Sequence, residues 1–185
     1  MQEMETNNAA ALNSAAILAG RDHVIAQMQW IRQYSLQLIE SVPHELWYVR
    51  PAGAVTHLAW QVGHLAVAQY GLMLFRQRGR VEIDLELMPG WLRKNYGRGS
   101  QASEYSEGAQ CPAPAELLRH MQAIHAQAML EVPQLTEATL AEPTEMPYTA
   151  YPIKLGALMF CPLHESIHAG QIGLLRRLHG LAPIR

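Results

Sequence analysis

Cysteine is almost missing from this chain of 185 residues: Cys111 and Cys161 are the only two, fifty positions apart and in no CxxC pair. That spacing excludes a disulfide scaffold and a cysteine zinc module, and it fits a reducing, intracellular compartment. An excess of either charge is missing too. Fourteen Lys and Arg stand against sixteen Asp and Glu, a formal net charge of −2, so no electrostatic pull toward nucleic acid or an anionic membrane surface is built in. No basic residue precedes Arg21, so the start of the chain does not read as a secretory leader. No apolar run approaches the roughly 18–20 residues that a membrane span needs. The expectation is a cytoplasmic protein with neither a membrane nor a nucleic-acid partner. What the chain does have is apolar mass, 49% of its residues, enough for one buried core at this length.

Hydrophobic spacing organises that mass into helices. Ile17, Val24, Met28, Ile31, Leu38 and Val42 recur at helical steps until Pro43 stops them. A second helix is expected from Thr56, as its N-cap, to about Gln77, and no Asp or Glu occurs between Val55 and Val81. Pro and Gly then break the pattern from Gly79 to Pro112, a segment long enough to be functional or locally structured. Pro114 suits the first turn of a third helix carrying Leu117, Met121, Ile124 and Ala128, which ends before Pro133. After a stretch holding Pro143, Pro147 and Pro152, the last helix runs from about Leu155 to Leu178 and closes at Gly180. Short extended pieces at 80–87 and 148–153 are the only strand candidates. These segments predict an all-α fold, a four-helix bundle with two long irregular connections, over residues 14–180, with residues 1–13 a mobile tail.

Nine histidines are present, and their placement matters more than their number. His164 and His168 stand four apart in the last helix, on one face, within reach of a single metal ion. A pair at this spacing can equally be a hydrogen-bonded core pair. A metal would need a third ligand from a neighbouring element, and the second helix offers His64 and His57. These lie about 10 Å apart along a regular helix and cannot both join one mononuclear site. His64 is the choice, since small Ala68 and Gly71 share its face; His57, near the helix start, reads as a pocket or supporting residue. The string His164-Glu165-Ser166-Ile167-His168 also matches HExxH, but no Asp or Glu follows His168 to complete a zinc-protease site. A di-iron carboxylate centre needs two ExxH pairs and further inward glutamates, and the second helix has none.

Trp60-Gln61-Val62-Gly63-His64-Leu65-Ala66, paired with His164-Glu165-Ser166-Ile167-His168-Ala169-Gly170-Gln171-Ile172 about one hundred residues later, resembles the DinB-like superfamily of metal-binding four-helix bundles. That group also includes YfiT-type hydrolases and bacillithiol and mycothiol S-transferases. The resemblance implies that His64, His164 and His168 hold a divalent metal, commonly nickel or zinc, with other positions left for water or substrate. It implies close helix approach at Gly170, a structural or supporting role for Gln171, and a homodimer.

The expected function is therefore a divalent-metal-dependent enzyme, a thiol S-transferase or hydrolase acting on a small molecule, with a low-molecular-weight thiol as a candidate cofactor. The reading from another class is a non-catalytic dimeric bundle whose histidines bind metal for stability or sensing. Glu165 is the candidate general base, or else a solvated or helix-pairing glutamate. Six of the fourteen basic residues crowd into 76–98, either to receive an anionic substrate or as solvated surface. Trp91, Tyr96 and Tyr105 either roof a pocket or pack onto the bundle. Cys111 and Cys161 are expected as inert thiols, and Pro162 as a kink or a late helix start.

Overall fold

The Asn13 side chain accepts the amide of Ala16 at 2.9 Å and starts α1, Ser14–Glu40. The structure is a computed structural model and describes residues 13–102, 111–145 and 149–184. Tyr105, Pro147 and all of the N-terminal tail except Asn13 lie outside the described residues. Three further long helical segments follow. The first is α2, Leu58–Gln69, continued by a wider π-type turn over Tyr70–Phe75 and the short α3, Arg76–Arg78. The second is α6, Pro114–Glu131, with Pro114 at its first position, where a missing N–H costs nothing. The last is α8, Lys154–Leu178, which ends as Gly180 takes a φ of 77°.

The chain folds as the all-α bundle that its periodicity predicts. The apolar stripes face inward: Ile17, Val24, Met28, Ile31 and Leu38 on α1, and Leu117, Met121, Ile124 and Ala128 on α6, are all buried. α8 packs most extensively on α1, and α2 on α6; contact between α2 and α8 is smaller. Among the described residues no strand forms, and only an isolated bridge between Pro143 and Ile153 marks the expected extended piece before α8. The 80–87 segment is not extended: it holds α4, Asp84–Leu87, and is followed by α5, Gly90–Tyr96. The second connection carries α7, Glu137–Leu140. Among the described residues no helix is long and apolar enough to cross a membrane.

Two local expectations are corrected here. The N-cap of α2 is His57, not Thr56: its Nδ1 accepts the amide of Trp60 at 3.1 Å while its ring packs on Tyr48 with centroids 5.2 Å apart. That gives His57 its role. Pro162 does not delay α8, which already runs from Lys154 and contains it; the residue is buried, and its carbonyl accepts the Ser166 hydroxyl at 2.8 Å.

Candidate metal centre

α2 and α8 run antiparallel and bring three imidazoles together. The ring centroids of His64, His164 and His168 are 4.5 to 5.3 Å apart, and one nitrogen from each lies within 4.8 Å of the others. Tyr96, at the end of α5, fixes His64: its backbone carbonyl is 2.8 Å from Nδ1. A carbonyl can only accept, so Nδ1 carries the proton and Nε2 keeps its lone pair. Trp60 lies flat against the same imidazole, with centroids 4.6 Å apart and planes 7° apart, and its indole N–H donates to Ser100 at 3.0 Å.

His168 is oriented by the same logic, through an amide. The Gln61 amide nitrogen donates to the Gln171 side-chain oxygen at 2.9 Å, which turns the Gln61 oxygen toward His168 Nδ1 at 2.5 Å. His168 therefore donates from Nδ1 and also presents Nε2. Partners of this kind, behind a histidine ligand, fix its tautomer and aim. Burial holds all three imidazoles below the ordinary histidine range. His164 falls to about 4 and His168 to about 3, with repulsion from the neighbouring histidines adding to the desolvation. Neutral rings, two of them with Nε2 left free by the bond at Nδ1, are in the form that binds a divalent cation, so the donor set fits one.

Of the readings open for Glu165, a general base or else a solvated or helix-pairing glutamate, its contacts are those of a helix-pairing one. It is only 1% exposed, and its two carboxylate oxygens accept from Arg32 Nε at 2.8 Å and Arg32 Nη2 at 2.7 Å. This bidentate ion pair occupies the carboxylate, and Glu165 is not among the residues that converge with His64 and His168. Arg32, on α1, also donates to the Gln69 side-chain oxygen of α2 at 2.8 Å and to the Met121 carbonyl of α6 at 3.0 Å. The Gln69 amide nitrogen in turn donates to His125 Nδ1 at 3.0 Å. Sequence reasoning passed over Arg32, although a charged residue on the α1 stripe between Met28 and Ser35 was a signal. Gly170 is corrected too: a Cβ there would meet nothing. The close approach is at Gly63, where a Cβ would collide with the Tyr96 ring.

Beside the cluster opens a cleft of about 750 Å³ lined by His168, Trp60, Gln61, Gln171, Arg50 and Leu174, among others. A model of the DinB superfamily matches residues 27–172, a span that takes in all three histidines. The chain belongs to the DinB superfamily. No match to it is found among curated proteins. Membership of the DinB superfamily and the three-histidine cluster are together compatible with a metal-binding protein. Apart from Tyr96, whose carbonyl holds His64, the other candidates from the sequence have partners of their own in this DinB fold. Arg78 is committed to Asp84 and Glu131, and Arg76 to the Glu145 carbonyl. Trp91 packs edge-on to His120, and Tyr96 is buried against α2. Cys161 is buried, and burial pushes its thiol well above the usual range, away from a nucleophile's.

Proposed function

We propose that this DinB-superfamily chain is a divalent-metal-dependent enzyme acting on a small molecule, by thiol transfer or hydrolysis, with nickel or zinc held by His64, His164 and His168. One observation carries the reading: His168, with its tautomer fixed by Gln61, also lines a cleft large enough for a small molecule. A metal kept only for stability has no need of that opening. When bound, the metal supplies Lewis-acid chemistry and an acidified water or thiolate position. The protein's own residues do the rest. Three neutral imidazoles add no negative charge, so the site stays cationic and attracts anionic nucleophiles. Trp60 and Leu174 give the cleft an apolar wall, while Gln61, itself held by Gln171, orients His168.

A homodimer belongs to the same proposal. Leu163 and Ile167, one turn apart on α8 and outside the cleft lining, are 58 to 59% exposed, an apolar surface that a second copy would cover. The test is elemental analysis of protein purified without a histidine tag, beside His64→Ala and His168→Ala, with mass in solution measured on the same samples. About one ion per chain in wild type, lost in both variants, is expected, at twice the 20.7 kDa chain mass. Metal retained by His64→Ala overturns the ligand set, and a mass of one chain overturns the dimer.

A further inference from the structure

The two helices that carry the candidate ligands are not each other's main packing partners. α8 lies chiefly along α1, and α2 along α6. The α2–α8 spacing, on which a site shared between His64 and the α8 pair depends, must therefore be set by specific links. Two links exist. One is Gln61 to Gln171 at 2.9 Å. The other runs from Gln69 on α2 through the Arg32 guanidinium to Glu165 on α8, with bonds of 2.7 to 2.8 Å. Gln61 and Gln69 are about 12 Å apart along α2, and His64 lies between them. On α8, His168 lies between Glu165 and Gln171, and His164 directly precedes Glu165.

Resting on the metal-centre reading above, we infer that Arg32 is a positioning residue for that centre: from α1, its buried guanidinium spans α2 and α8 and fixes how His64 faces His164 and His168. The guanidinium suits this work because its fork is rigid and engages the carboxylate, an amide oxygen and the Met121 carbonyl at once. Met121 belongs to α6, so the one group touches all four long helices. A lysine in its place keeps the charge but not the fork.

Removing one charge alone strands the other, so the first test replaces the network whole. The variant Arg32→Met/Gln69→Leu/Glu165→Leu leaves neither charge of the pair buried, and apolar replacement of a buried ion pair is often neutral or stabilising. Folding is followed by circular dichroism and urea midpoint, and binding by Co²⁺ titration against a chelator together with the visible Co²⁺ absorption band. The expected result is a folded triple variant whose Co²⁺ affinity drops about tenfold or more, with a shifted band. A folded triple variant with wild-type affinity and band overturns the inference. If the triple variant does not fold, Arg32→Lys decides by the same affinity and band criteria. Wild type that takes up no Co²⁺ overturns the metal-centre reading, and the inference with it, before any network residue is changed.

Discussion

The finest decision in this protein is made by one amide. Gln61 is fully buried, and its nitrogen is committed to Gln171, so its oxygen alone is left to receive the proton on His168 Nδ1. Gln61→Leu removes that acceptor and leaves a buried N–H of His168 unpaired. The expected outcome is a loss of about 10- to 100-fold in metal affinity, the usual effect of deleting a partner behind a ligand, read by chelator competition. Gln61→Glu works in the opposite direction at the imidazole, because a carboxylate accepts the Nδ1 proton more strongly and raises the basicity of Nε2. It also forfeits the bond to Gln171. If both variants bind as wild type does, His168 is not aimed by residue 61.

Between elements, the decisive contact is α5 against α2. Gly63 lets the Tyr96 ring lie on the helix, and the Tyr96 carbonyl then reaches His64. Gly63→Ala sets two effects against each other: alanine gains about 1 kcal/mol as a helix former, while overpacking a full contact costs about 1 to 3 kcal/mol. The Tyr96 ring is buried and cannot swing away cheaply, so the clash wins. We expect a lower urea midpoint together with weaker metal binding; an unchanged midpoint would show that α5 yields freely. This contact also marks the limit of what the sequence disclosed. α1, α6 and α8 were legible because each alternates a buried stripe with a solvated face, and the His164–His168 pair because four residues make one turn. α4 and α5 were not, since pieces of four and seven residues are too short to show a period. Nor was the cap of α2: Thr56 is the better local N-cap, yet packing on Tyr48 favours His57. Arg32 stayed hidden because its partners Gln69, Met121 and Glu165 come from three other helices.

Over the whole molecule, the bundle carries several histidines whose burial opposes protonation in acid. His64, His120, His125, His164 and His168 are all held below the ordinary value by burial, His125 to about 4 with help from the neighbouring Arg32 charge. The unfolded chain protonates these rings near pH 6.5, whereas the folded chain resists down to about 4 for His164 and about 3 for His168. Between those limits the unfolded state binds more protons, so stability falls as pH falls and is level above about pH 7. One pKa unit corresponds to about 1.4 kcal/mol. Because several rings are part-exposed and share their repulsion, the sum for the metal-stripped protein is on the order of 2 to 4 kcal/mol between pH 7 and pH 4. Urea midpoints of the stripped protein across that range should decline without a plateau. A divalent ion competes with those same protons, so its added stability should be full at pH 7 and be lost only as pH falls through about 4 and then about 3, where His164 and His168 take up protons in the folded chain. Replacing His168 by Ala flattens both curves if the cluster causes them. A slope that persists unchanged in that variant would show that His168 does not cause the acid sensitivity and would leave it to the other four rings.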